Sequence, residues 1–294
     1  DIGYSDYPMF NTPDSFGKAI KDAGFDLLTT ANNHCMDKRT DGLKRTLDVL
    51  DELGISHIGT YRSYEERENY YIEEINGINI AFLSYTYGTN GIRIPSGMEY
   101  TVSLMEREQI RADLENVKAL NPDLIVVMPH MGNEYELKPK EVFIDWIDFM
   151  IDNGADVVLA SHPHVLQPME IRRDSIQGTE HVIVYSLGNF ISNMSNRKTD
   201  GGALVKLELC KDSLIRVESC KYALVWTERP VLSGRKNFRL LPMNYPQDSL
   251  RPAAFNKFIL FKDDSRELLD THNKGIGEYF FRENLSGESL EVQR

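Results

Sequence analysis

A two-sheet α/β sandwich, with helices on the outer faces and both sheets buried, is the fold this sequence predicts. Over residues 14–160 apolar strand-like runs alternate with stretches of helical periodicity. From residue 168 onward strand-like runs follow one another without long helices between them. The first pattern implies largely parallel strands covered by helices, and the second implies another sheet packed on the first. A third observation bears on function: several of the apolar runs end at once in histidine or asparagine.

The elements are taken in chain order. Residues 1–13 are polar and turn-rich. Residues 14–24 read as a helix that Asp14 or Thr12 caps, with Phe16, Ala19, Ile20 and Ala23 on one face and Gly24 as its stop. Residues 25–31 read as a buried strand. A polar loop through Asn32-Asn33-His34 leads to a helix over 42–53, where Leu43, Leu47, Leu50 and Leu53 share a stripe. Residues 69–85 read as a hairpin around Asn76-Gly77, a strong type I′ signal. A helix over 103–120 opens on Ser103 with Glu106 in a capping box. The strand 123–129, the helix 139–153 and the strand 155–160 complete the alternating half. Strands over 168–172, 180–187, 202–209 and 213–226 make the β-rich half. Residues 1–229 are therefore expected to form one domain. Residues 230–294 form a more polar extension packed on it or trailing from it, with a short helix near 263–270.

Composition narrows the function. An apolar fraction of 41% and a charged fraction of 27% are those of an ordinary globular chain, which argues against disorder. The net charge of −12 repels nucleic-acid backbones and anionic lipid, so nucleic acid is not an expected partner. An anionic substrate stays open, because a bound cation reverses the local field. Three cysteines, Cys35, Cys210 and Cys220, make no disulfide framework, although a Cys210–Cys220 bridge across a hairpin is an open alternative. No apolar run approaches the roughly 20 residues that span a bilayer.

The chemistry sits where strands end. One run enters Asn32-Asn33-His34, another His130-Met131-Gly132-Asn133-Glu134, another Ser161-His162-Pro163-His164, and a fourth Asn189-Phe190. Sites in open α/β sheets form beyond the carboxyl ends of strands, so these four ends are expected to meet in one crevice. In the His162-Pro163-His164 triplet the proline fixes φ in a turn, so the imidazoles reach different ions or different sides of one site; the alternative is two ordinary loop histidines. Asn33 offers a neutral oxygen to a metal while His34 faces substrate as a general acid, or Asn-Asn-His simply caps the next helix. Glu134 and Glu136 offer carboxylates as outer partners or substrate contacts, against a solvated-loop alternative. Asp37 and Asp41 read as helix caps or outer partners. Residues 186–189 present backbone N–H groups or the Asn189 amide to an anion, or form a plain tight turn. His57, His181 and His272 carry no assigned role.

Taken together, these segments resemble the bacterial capsule-synthesis CapA (poly-γ-glutamate) family. The stretch from Gly24 through Asn32-Asn33-His34 to Gly59 resembles its first block, Pro129–Pro139 its HWGxEY block, Asp152–Glu170 its GADxVIGxHPHV block, and Val182–Ile191 its YSLGNF block. That family is similar to the calcineurin-like metallophosphoesterases. The resemblance implies a metallo-dependent phosphatase-like four-layer α/β/β/α sandwich with divalent ions, two of them, of Mn, Fe or Zn type. It implies Asn33, His130 and His162 on one metal, His164 on the other, and His34 as the catalytic acid, with Asp37, Glu134 and Asn189 as outer or substrate contacts. It further implies a role in capsule or poly-γ-glutamate synthesis, on polyglutamate or a phosphate ester, with a capsule-synthesis membrane complex as partner. The expected location is extracytoplasmic, with a tether through an N-terminal segment outside this chain. Three departures stand out: no Gly-Asp strand occurs within residues 1–13, Cys35 follows the motif histidine where an acid is usual, and Arg39 stands where glycine is usual. The readings that compete with capsule synthesis are a metallophosphoesterase acting on a small phosphate ester and a non-catalytic polymer-binding protein with a degenerate site.

Overall fold

The structure, a computed structural model, describes residues 3–173, 179–212 and 215–281. In chain order the elements are α1 (Asp14–Asp22), β1 (Leu27–Thr29), α2 (Arg39–Glu52), β2 (Ser56–Ile58), α3 (Tyr64–Glu68), β3 (Ile72–Ile75), β4 (Ile78–Thr86), α4 (Arg107–Ala119), β5 (Leu124–His130), α5 (Glu141–Asp152), β6 (Val157–Leu159), β7 (Met169–Arg173), β8 (Glu180–Val184), β9 (Gly201–Lys211) and β10 (Ile215–Glu228). Two short strands, β11 (Val231–Leu232) and β12 (Arg235–Lys236), precede β13 (Arg239–Pro242), α6 (Pro252–His272) and β14 (Gly277–Glu278).

Period-two burial explains the main sheet, ordered β3-β4-β5-β6-β8-β7. Its strands β4, β5, β6 and β8 run parallel, with antiparallel edges at β3 and β7. Successive residues along one strand face opposite sides. Ala81, Leu83, Ile125, Val127, Val158 and Ile183 therefore pack against α4 and α5, where Ile110, Leu114, Val117, Ile147 and Met150 form the helical stripes. Their neighbours Ile80, Leu124, Val126, Val157, Val182 and Val184 face the other way, toward Tyr222, Leu224 and Trp226 of β10. That second sheet joins β9, β13 and β14 to β10. A parallel β1–β2 pair lies beside α2. It is linked to β4 by isolated bridges of Thr60 to Val102 and Thr86 to Leu104.

The mixed α/β architecture and the change from alternating to β-rich halves are as the sequence reading expects. Asn76 and Gly77 both take positive φ in the β3–β4 turn, as a type I′ hairpin requires. Several local expectations change. Neither Asp14 nor Thr12 caps α1, whose N-cap is Pro13. The helix expected from 103 begins at Arg107, and no capping box forms. Ser103 is buried and its amide donates to the Gly59 carbonyl, a bridge that outweighs a cap. The helix expected at 263–270 is the 21-residue α6. Ala254, Phe258, Phe261 and Leu269 are its buried apolar positions, and the charged run Lys262-Asp263-Asp264 between them obscures the stripe in sequence. They enter the same core as the two sheets. All three cysteines are free, so the Cys210–Cys220 bridge does not form. Among the described residues no helix is long and apolar enough to cross a membrane. Residues 213–214 of one expected strand and 282–294 of the C-terminal extension lie outside the described residues.

Candidate metal centre

The parallel strands share one carboxyl edge, and the predicted residues stand beyond it. His130 is the last residue of β5, and His162 and His164 follow β6. His130 Nε2 lies 3.0 Å from Asn33 Oδ1. The His130 and His162 ring centroids are 4.8 Å apart, and those of His162 and His164 5.9 Å. The structure thus brings Asn33, His130, His162, His164 and Asn189 into one crevice, and His34 adjoins them through Asn90.

Both histidines of the His-Pro-His turn take positive φ, 116° at His162 and 60° at His164. Such conformations are costly for side-chain-bearing residues and persist only where the surroundings enforce them. Here the enforcement comes from the β5 end. The Met131 amide donates to the Ser161 carbonyl at 2.8 Å, and the Tyr135 amide to the Pro163 carbonyl at 2.8 Å. Gly132, at φ 128°, lies against Pro163: a Cβ there would come within 2.7 Å of the proline Cγ. This turn holds the two imidazoles in the same crevice, their ring centroids 5.9 Å apart.

Hydrogen bonds set which atoms face inward. Asn189 Nδ2 donates to the Thr199 carbonyl at 2.8 Å and to the His164 carbonyl at 3.3 Å. Its Oδ1 therefore faces His164 Nδ1 at 3.0 Å and accepts that proton, leaving the His164 Nε2 lone pair free. Asn33 Nδ2 donates to Asn90 Oδ1 at 3.1 Å, so Asn33 turns its oxygen toward His130. The Asp37 carboxylate accepts from His34 Nδ1 at 2.8 Å and from the Phe10 amide at 2.8 Å. Asn90 Nδ2 lies 3.3 Å from His34 Nε2. Burial, then the neighbouring imidazoles, push His130 down to about 3, and burial pushes His162 down to about 4, Glu134 opposing and the neighbouring imidazoles adding to it. Both rings are neutral near pH 7, the form that binds metal.

Some expectations are corrected. Asp37 does not cap α2: its N-cap is Lys38, without a side-chain cap bond, and Asp37 holds His34 instead. Asp41 is exposed in the first turn of that helix. Glu136 pairs with Lys140 and accepts from Asn133, outside the crevice. The amides of 187–189 are spent on Ala160, Ser186 and Gly201, so this turn is no anion cradle. Burial raises the Cys35 thiol to about 11, which removes it as a nucleophile. His57 pairs with Asp51, and His181 faces the Ala155 carbonyl. Arg39 takes φ 59°, a conformation that favours glycine.

Sequence reasoning missed Tyr87, Asn90, Phe10 and Tyr135. Tyr87 packs over His162 at 4.8 Å between ring centroids, Tyr135 stacks on His164 at 6.2 Å, and Phe10 meets His34 edge-on at 4.6 Å. The rule that found the other strand ends also finds Tyr87 and Asn90, since they follow the end of β4. Phe10 carries no such signal.

The donor set suits a divalent ion. Asn33 Oδ1 and His130 Nε2, 3.0 Å apart as a hydrogen-bonded pair, are close enough to share one ion, whose tetrahedral ligands stand about 3.4 Å apart. Buried His162 Nδ1 has no hydrogen-bond partner within the protein. Ligand atoms of Glu134, His162 and His164 all lie within 4.8 Å of one another.

Comparison with known proteins finds a family and relatives that this chain resembles. The family model described as "Bacterial capsule synthesis protein PGA_cap" matches residues 1–194. A capsule biosynthesis protein CapA of Bacillus anthracis is 28% identical over 265 residues, 88% of this chain and 61% of that protein. A PGA biosynthesis protein CapA of Bacillus subtilis (strain 168) is 31% identical over 212 residues, 68% of this chain and 51% of that protein. The chain thus spans between half and two thirds of the length of these relatives. Among solved structures, the Haemophilus influenzae NAD nucleotidase superposes with a TM-score of 0.47 at 12% identity, covering 92% of this chain and 45% of that one.

Proposed function

The chain belongs to the bacterial capsule synthesis protein PGA_cap family, and we propose that it acts in capsule or poly-γ-glutamate synthesis as a metal-dependent hydrolase with a phosphoesterase-like centre. One observation carries the reading. Neutral imidazoles and a fixed amide oxygen converge beyond parallel strand ends, with Asn33 Oδ1 3.0 Å from His130 Nε2 and His162 Nδ1 buried without a partner.

In this reading Asn33, His130 and His162 hold one divalent ion of the Mn, Fe or Zn class, and His164 faces a second. Such ions polarise a scissile group and lower the pKa of bound water. The protein's own residues do the rest. Asn90 holds the Asn33 amide with its oxygen inward. Asn189 keeps the proton of His164 on Nδ1. Asp37 anchors His34 through Nδ1, so Nε2, once it has left Asn90 and taken a proton from water, is the nitrogen that hands that proton to a leaving group. The exposed rings of Phe10, Tyr87 and Tyr135 line the approach. The substrate is polyglutamate or a phosphate ester, and the setting is an extracytoplasmic capsule-synthesis complex; the names of the two CapA relatives support this part. A four-layer arrangement, with α6 as the outer layer, belongs to the same proposal.

The test is turnover by the metal-loaded chain on phosphomonoesters, phosphodiesters and polyglutamate, beside His34→Ala and His162→Ala. Turnover lost in both variants supports the reading. If the chain binds no divalent metal and cleaves none of these, the enzymatic reading falls and a polymer-binding role takes its place.

A further inference from the structure

We propose that Glu134, His162 and His164 form a cation site contained within this chain, with Glu134 as its carboxylate ligand and His162 turned to the ion of His164 rather than to that of Asn33 and His130. The inference rests on the metal-dependent reading above and makes Glu134, which the sequence offers only as an outer or substrate contact, a charged ligand of the ion. Three observations carry it. One ligand atom from each residue lies within 4.8 Å of the other two. His162 is 8% exposed, and its Nδ1 has no hydrogen-bond partner, an unusual state for a buried ring nitrogen. His164 has its Nδ1 proton committed to Asn189 Oδ1, so Nε2 is ready as a donor.

The distances are near those of ligands around one ion. Ligands about 2.1 Å from a tetrahedral ion are about 3.4 Å apart, so a pair at the 4.8 Å limit must close by about 1.4 Å. His162 and His164 sit in a turn clamped by Gly132 and Tyr135, and the closing motion falls to Glu134. Its side chain is exposed and able to change rotamer. The two glutamates of this loop are not equivalent: Glu136 is engaged by Lys140 and Asn133, while Glu134 faces the histidines. Two imidazoles and one carboxylate favour Zn, Mn or Fe over Ca or Mg, and leave a fourth position for water or substrate. The negative ligand also offsets the charge of an ion in a crevice whose other donors, Asn33 and His130, are neutral.

The experiment is titration of the metal-stripped chain with Zn2+ by calorimetry, and with Co2+ by visible absorption, a readout independent of turnover. Wild type, Glu134→Gln and Asn33→Ala are compared, and each fold is checked by circular dichroism. Glu134 is exposed, so its variant is expected to fold as wild type does. The expected result is that Glu134→Gln loses one equivalent, or at least about 100-fold in affinity, beyond what partners outside the ligand shell contribute, while Asn33→Ala keeps the Glu134-dependent equivalent. Unchanged stoichiometry and affinity in Glu134→Gln, with metal lost in Asn33→Ala, overturn this inference and leave the proposed function standing. A wild-type chain that binds neither ion overturns both.

Discussion

Acidifying the metal-stripped protein tests the histidine cluster without reference to its reaction. Unfolded, His130 and His162 take up a proton near pH 6.5. Folded, they resist until about 3 and about 4. Between those values the unfolded chain binds more protons than the folded one, so stability falls as pH drops. At about pH 4.5 the linkage relation gives a loss, relative to pH 7, of about 2–3 kcal/mol for each histidine. The two are not additive, because the His162 charge helps to hold the His130 pKa down. For a chain of 294 residues the unfolding entropy is about 0.6 kcal/mol per kelvin, so each contribution equals roughly 4 °C in Tm. The measurement is thermal unfolding in excess chelator at both pH values for wild type, His130→Gln and His162→Gln. Other groups titrate in all three proteins, so the informative quantity is the difference in pH-dependent loss. Each variant should lose about 2–3 kcal/mol less than wild type on acidification. Equal losses in all three would refute the claim that these imidazoles are buried and neutral.

Further expectations concern the supports of the site. Gly132→Ala places a methyl against Pro163 at positive φ; it should cost about 1–3 kcal/mol in chemical denaturation and weaken Zn2+ binding by shifting the His162 turn. Arg39→Gly relieves a left-handed, exposed residue at the start of α2, and urea melts should show a gain of about 0.5–1 kcal/mol with metal affinity unchanged. Asp37→Asn removes the carboxylate that fixes His34; turnover should fall by about 10²- to 10⁴-fold, with Zn2+ affinity retained. Preserved turnover would show that His34 is not the proton donor.

Much of this architecture was legible in the residues. Helical stripes such as Leu43, Leu47 and Leu50, and the Asn-Gly hairpin, are written in local periodicity and turn chemistry. The four polar strand ends were legible for the same reason: a buried run announces its strand, and the residues just after it stand at the sheet's edge. Limits arose where a residue's role depends on a distant partner. Asp37 looks like a cap in sequence, yet its partners are His34 and Phe10, the latter 27 residues away. Ser103 looks like the opening of a helix, yet the carbonyl of Gly59, 44 residues earlier in the chain, claims its amide.

The sequence by itself determined the α/β class, the convergence of Asn33, His130, His162 and His164, and the family. These rest on patterns repeated along the chain. Only the tertiary structure decided how the groups face one another. Two positive-φ histidines turn both rings into one crevice, Asn189 and Asn90 choose which atoms are free, and Glu134 is separated from Glu136. These choices depend on backbone clamps and hydrogen bonds between segments up to 97 residues apart, such as Asn33 and His130, and no local pattern encodes them.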